Sequence, residues 1–246
     1  VYYHSKTEDG GDLYLTRHAE PHAEHLEIHN WYEEDWFTKH RVKLLGTSSV
    51  YKVPTRTIKG THLDLVVKNC RVGEDVPLNT HTLQEFMSAE FNSPWEEFAL
   101  VQEMGDRQYS QSIGWVKVQR PLAIYVPPQK MQLWQSGRSR SRINRIHARH
   151  PGVDLDILKQ YKLVYEWIKG KNLIEIFEHI RTDIPNIVEH LKSMQNKAQS
   201  DLSRKGYLMA DMKPEHVIID EEDCKRIDAA GKRGDPAAAA EQVRMV

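Results

Sequence analysis

The sequence predicts an α+β fold. Three observations predict it: short β-rich segments cluster between residues 41 and 68, one well-signalled helix follows them, and amphipathic helices dominate after residue 170. Residues 1–40 are polar and rich in His and Glu, so they read as an N-terminal extension, and a boundary falls near residue 40. The strand-like runs at 41–45, 50–53 and 63–68 are separated by Gly46-Thr47-Ser48-Ser49 and by a turn at Lys59-Gly60, the pattern of a meander. The helix is expected over 93–104, with Ser93 as N-cap, Pro94 at the first helical position, Glu96 and Glu97 in the first turn, and Phe98 and Val101 behind them. A further strand is expected at 122–126, closed by Pro127-Pro128. A basic helix is expected at 129–150, stopped by Pro151-Gly152. Residues 161–167 read as a buried strand running into a Lys169-Gly170 turn. Helices at 173–180 and 184–202 and a short strand at 217–219 complete the pattern.

With 246 residues and 39% hydrophobic content, the chain can bury one or two cores. Lys plus Arg number 34 against 35 Asp plus Glu, so no overall field directs it to nucleic acid or membrane, and any such affinity must be local. Cys70 and Cys224 stand far apart without metal-ligand spacing, which points to a reducing compartment and a cytoplasmic location. No apolar run approaches the roughly 20 residues that cross a bilayer. The chain opens on Val1 rather than Met, consistent with a fragment or a processed product.

The residues with the clearest chemical content are Asp211-Met212-Lys213-Pro214-Glu215-His216, which precede the apolar run Val217-Ile218-Ile219. This run resembles the catalytic loop of the protein-kinase-like superfamily. Upstream, Leu163-Val164-Tyr165-Glu166-Trp167-Ile168-Lys169-Gly170 resembles that superfamily's hinge. Leu45-Gly46-Thr47-Ser48-Ser49-Val50-Tyr51-Lys52-Val53 is similar to its strand-loop-strand over the ATP phosphates, and Leu65-Val66-Val67-Lys68 to its lysine-bearing strand. The four occur in kinase order across roughly residues 41–228, and they resemble most the divergent bacterial members, the atypical and lipopolysaccharide-type kinases.

The resemblance implies a bilobal fold. Its N-lobe would span 41–165, an antiparallel sheet with one main helix and the basic helical insert near 129–150. The hinge and a reduced, mostly helical C-lobe would occupy 166–246. It implies ATP as cofactor, with Mg or Mn, and transfer of the γ-phosphate to a hydroxyl acceptor on a protein or a small molecule. Phosphoryl transfer needs positioning and charge stabilisation more than covalent chemistry. Lys68 would take the α and β phosphates, with a helix carboxylate, Glu97 in preference to Glu96 or Glu85, holding the lysine. Gly46, Thr47, Ser48 and Ser49 would cover the phosphates, and Val53, Glu166 and Ile168 would complete the nucleotide contacts. Asp211 would orient the acceptor hydroxyl, Lys213 would neutralise the transferred group, and His216 and Asp228 would hold the metal.

The pattern also departs from the family. The loop keeps one glycine, Gly46. Met209-Ala210 replaces the polar brace before the loop, and Ala229-Ala230 follows Asp228 where Phe-Gly is usual. His216 stands where an Asn is usual, and imidazole suits manganese or zinc better than magnesium. Few residues follow Asp228, so the lower lobe is minimal or truncated. These departures motivate an alternative, a degenerate kinase serving as a nucleotide-binding or scaffold module. A third reading comes from Arg138, Arg140, Arg142, Arg145 and Arg149 in an acid-free stretch, which suits an anionic partner such as nucleic acid. His22, His25 and His29 would share a helical face, but interleaved Glu20, Glu24 and Glu27 favour a solvated polar helix over a metal site.

Overall fold

Alternation of side chains decides the central sheet. In Leu65-Val66-Val67-Lys68 every residue but the last is buried, so the strand has apolar material on both faces and must lie inside a sheet covered on both sides. The computed structural model describes residues 2–44, 49–70, 92–105, 118–136, 139–149, 151–152, 156–180, 187–207 and 213–225. Within them the chain is α+β, with a seven-stranded sheet, a separate two-stranded sheet and several helices. The strands are β1 (Tyr2–Lys6), β2 (Asp12–Thr16), β3 (Val42–Lys43), β4 (Val50–Pro54), β5 (Asp64–Asn69), β6 (Pro121–Val126), β7 (Lys162–Glu166), β8 (Gly170–Asn172) and β9 (Ile218–Asp220). The helices are α1 (Glu34–His40), α2 (Pro94–Gly105), α3 (Arg140–Arg149), α4 (Leu173–Ile180) and α5 (Ile187–Arg204). The large sheet runs β1-β2-β6-β7-β5-β4-β3, antiparallel throughout.

Two compact units divide the chain. The first comprises Val1–Pro77, Ser88–Gln102 and Gln119–Trp167, and the second Leu78–Met87, Glu103–Val118 and Ile168–Val246.

The expected extension at 1–40 belongs to the fold of the first unit. β1 and β2 add two strands beside β6, and the segment that follows covers one face of the sheet with Ala19, Leu26, Ile28 and Trp31. The polarity that suggested an extension belongs to the outer side of this cover, while its apolar residues point inward. Thr16 fixes the entry: its hydroxyl donates to the Pro121 carbonyl at 2.6 Å and accepts from the His18 amide, capping a 3-10 stretch over Arg17–Leu26. Trp31 is fully buried, packs edge-on against Tyr125 and donates its indole N–H to the Leu26 carbonyl at 3.0 Å. In the β1–β2 hairpin, Asp9 accepts from Thr7, from Tyr125 and from the Gly11 amide. Burial works against that carboxylate, yet these bonds hold it below the usual range, while burial and then Asp9 push the Tyr125 phenol up.

The opposite face carries Val66, Ile124, Leu163 and Tyr165, and Phe98 of α2 packs against it. Between β6 and β7 lies the long insertion. It contains a 3-10 turn at Leu133–Ser136 and then α3, so the helix expected over 129–150 occupies only its second half.

β7 opens on a buried cation. Lys162 is 6% exposed and donates to Asn69 Oδ1 and Gln160 Oε1, each at 2.8 Å, with the Tyr32 ring nearby. Burial, with no carboxylate partner among the described residues, pulls its amine down to about 8. An unfolded lysine titrates near ~10.4, so between the two values the unfolded chain binds a proton that the folded chain lacks, and stability rises with pH. From pH ~8 to ~9 the gain is about 1 kcal/mol; nearer pH ~10, where unfolded tyrosine ionises, the tyrosines with raised values work the other way. From pH ~8 to ~9 the urea midpoint of the wild type should climb relative to that of Lys162→Met, which should also be the more stable of the two near neutrality. Parallel profiles would overturn this assignment.

In the second unit, Asn172 caps α4 reciprocally: its side chain accepts from the Glu175 amide at 2.9 Å, and Glu175 accepts from the Asn172 amide at 2.8 Å. Leu173, Ile176, Leu202, Val217 and Ile219 are buried here. β8 and β9 approach so closely at Gly170 that a Cβ there would stand 2.0 Å from the Ile219 carbonyl oxygen, so only glycine permits this pairing. No helix among the described residues is long and apolar enough to cross a membrane.

Candidate functional site

The register of the large sheet sorts its side chains into two layers, because directly paired residues share a face. Val50 pairs with Lys68, Lys52 with Val66, and Pro54 with Asp64, so Val50, Lys52, Asp64, Val66 and Lys68 look the same way. On β7, Leu163 and Tyr165 stand opposite Lys68 and Val66 and join that face. It is also the face that receives α2.

The start of α2 decides which of its two adjacent glutamates is free. Glu96 accepts from the Ser93 amide at 2.8 Å while its own amide bonds the Ser93 hydroxyl at 3.2 Å, a reciprocal capping box that fixes the helix entry. Glu97, one position on, turns toward the sheet. Lys68 Nζ donates to both of its carboxylate oxygens, at 2.7 and 2.8 Å. Both side chains are partly buried. Glu85, the third candidate, lies outside the described residues.

A third group completes this cluster, from the run that reads in sequence as a buried strand leading into the hinge-like segment. The Tyr165 hydroxyl donates to Glu97 Oε1 at 2.7 Å. Burial first, and the Glu97 carboxylate second, push its phenol well above the ordinary range, so it remains a donor. A tyrosine in a fully buried strand needs a polar partner for its tip, and that was the signal available in Leu163-Val164-Tyr165. Lys52 lies on the same face but is engaged by Asp64 at 3.0 Å and by the Trp167 ring at 4.6 Å.

Val53, expected among the nucleotide contacts, is on the other face. It pairs with Leu65 and is fully buried among Leu65, Val67 and Trp31, because the β4–β5 register that aligns Val50 with Lys68 turns odd-numbered residues of β4 away from the lysine. Ser49 is exposed and its carbonyl accepts from the Asn69 amide; Gly46, Thr47 and Ser48 lie outside the described residues. Glu166 ends β7, with its amide on the Arg120 carbonyl and its carboxylate 3.2 Å from the Arg120 guanidinium. Ile168 is the first residue of the second unit on this part of the chain.

Lys213 and His216 belong to the second unit. Lys213 is half-buried and extended, and it precedes a 3-10 turn over Pro214–His216; its carbonyl accepts from the His216 amide at 2.9 Å. His216 is exposed at the end of that turn. Asp211 and Asp228 lie outside the described residues. Among the described residues no three His, Cys, Asp or Glu side chains are grouped to hold a metal, the N-terminal histidines included. His25 contacts the Thr61 carbonyl and His29 the Glu8 carboxylate instead.

The first unit thus defines an α+β protein with a lysine of a central strand clamped by a helix glutamate and a strand tyrosine. Compared with known protein families and with curated proteins, the chain matches none.

Proposed function

We propose that the chain is an ATP-dependent phosphotransferase of bilobal protein-kinase-like fold, transferring the γ-phosphate to a hydroxyl acceptor. The observation that carries the reading is the Lys68–Glu97 pair. A partly buried ammonium, held by both oxygens of one carboxylate, keeps one orientation and is available to anionic oxygens without first being ordered. Two further observations support it. β3, β4 and β5 pair as the antiparallel meander the sequence predicts, with the helix α2 on the same sheet, and the chain leaves the first unit at Trp167, where the sequence resembles a hinge.

In this reading Lys68 binds the α and β phosphates and Glu97 and Tyr165 hold it in place. Gly46 to Ser49 cover the phosphates through amides and hydroxyls, and Glu166 and Ile168 offer main-chain groups to the base. Asp211 orients the acceptor hydroxyl and Lys213 neutralises charge on the transferred group. A divalent ion would supply charge neutralisation, and Asp228 and His216 are the residues proposed to hold it. Isothermal titration with ATP in magnesium and then manganese should give metal-dependent binding, weakened at least about tenfold by Lys68→Ala and also weakened by Asp228→Ala. Absence of binding in both metals would transfer the chain to the alternative favoured by the single glycine of the loop and by Ala229-Ala230, a scaffold module of the same fold.

A further inference from the structure

The insertion between β6 and β7 concentrates charge that the rest of the chain does not have. From Lys130 to Arg149 it contains Lys130, Arg138, Arg140, Arg142, Arg145 and Arg149 with no Asp or Glu, in a chain whose net charge is −1. α3 carries part of this charge at its surface. Ile146 is buried and Ile143 half-buried, one turn apart, so the helix is pinned along that side, while Arg140, Ser141, Asn144 and Arg145 are exposed. Lys130 is neutralised by Asp156, but among the described residues neither Arg140 nor Arg145 has a carboxylate partner. Just upstream, Trp134 in the 3-10 turn Leu133–Ser136 is 79% exposed, the most exposed large hydrophobic among the described residues.

We infer that α3 and the Trp134 turn form a docking surface for single-stranded nucleic acid, with Arg140 and Arg145 on phosphates and Trp134 stacked on a base. Guanidinium forks match phosphate oxygens, and a strand of regularly spaced phosphates satisfies several of them along a helix about 15 Å long. An unpaired strand also offers free base faces, which accounts for a large aromatic side chain left in water a few residues before the helix. A membrane surface fits less well. Apart from the small Ala148 the described outward residues of α3 are polar, and its isoleucines are the buried and half-buried positions, so the helix has no large apolar side to sink between headgroups.

The test is fluorescence anisotropy of a labelled short single-stranded RNA and the matching DNA with the full chain, from about 50 to 200 mM salt. Three engaged phosphates give a slope of about −2 in log affinity against log salt, since each contributes about −0.7 on a single strand. The double substitution Arg140→Ala, Arg145→Ala should lower affinity about tenfold or more and make the slope shallower by about 1.4, while the Arg→Lys pair should retain the slope. Trp134→Ala should lower affinity by at least about fivefold with the slope unchanged, because stacking releases no counterion. All these residues are exposed, so the melting temperature should not move, and a variant that melts early is replaced by Arg145→Gln alone. Salt-insensitive binding, undiminished binding by the double variant, no effect of Trp134→Ala, or tighter binding to phosphatidylserine vesicles than to the oligonucleotide would each overturn the inference.

Discussion

Replacing Trp31 with alanine lowers the stability of the first unit by about 3–5 kcal/mol, the range for removing a fully buried large aromatic side chain. The expectation follows from three losses at once. Trp31 fills the layer between the N-terminal segment and the sheet, with Leu26, Val53, Leu65 and Tyr125 around it. Its indole N–H satisfies the Leu26 carbonyl, which would be left without that donor in a buried place. Its edge-on contact with Tyr125, at 5.9 Å between ring centres, goes too. Trp31→Phe should recover most of the packing but not the bond, and so fall between wild type and alanine in a urea denaturation series. Removal of residues 1–40 should be worse than either, because it uncovers a whole apolar face and two strands. If that truncated chain melted like the intact one, the segment would be an appendage after all.

Substituting Glu97 has the second large effect, and it separates stability from ligand binding. Glu97→Ala deprives Lys68 of its clamp and leaves the buried Tyr165 hydroxyl unpaired, which costs about 1–3 kcal/mol. In the proposed function it should also lower ATP affinity at least about tenfold, since the ammonium loses its fixed orientation. Adding Tyr165→Phe removes the orphaned hydroxyl. The double variant should regain much of the lost stability and none of the affinity, a split that calorimetry and thermal melting can read on the same samples. Recovery of affinity together with stability would mean that Glu97 acts only through folding. Glu97→Gln keeps an acceptor for Tyr165 and should therefore melt close to wild type while binding ATP weakly.

The parts of this molecule that were legible in advance are those where local chemistry and tertiary packing agree. Ser93-Pro94 and the following glutamates specify a helix start, and α2 begins at Pro94. The preference for Glu97 over Glu96 rested on helical phase; the physical reason found is that Glu96 is consumed by the cap. β5, β6 and β7 were visible as apolar runs because both their faces are buried. β1 was not visible. Tyr2-Tyr3-His4-Ser5-Lys6 is a polar edge strand held by its ladder to β2 and by the stacking of His4 on Tyr14, none of which leaves an apolar alternation to detect. Val53 lies on the face opposite Lys68 because a one-residue change of phase reverses the face of a strand residue, and a motif spelled in letters does not encode phase. Tyr165 was overlooked because its ring satisfies the apolar pattern while its hydroxyl performs the distinctive contact. The basic stretch at 129–150 was read as one helix from its stop signal, Pro151-Gly152, although its first half is a bridge and a 3-10 turn.

The two ends of the large sheet bear on how the protein behaves at high concentration. A strand at the margin of a sheet offers unpaired amides and carbonyls to any extended chain that drifts past, and a long flat margin recruits copies of itself. Here one margin is β3, only two residues long, one of them Lys43. The other is β1, where His4 and Lys6 converge on Asp12 and place ionic side chains along the line a newcomer would have to follow. Shortness protects one side and charge the other. The sheet can therefore expose its flanks to a crowded solution without templating further strands, and a change that lengthened β3 or neutralised Lys6 would be expected to show first as a loss of solubility rather than of stability.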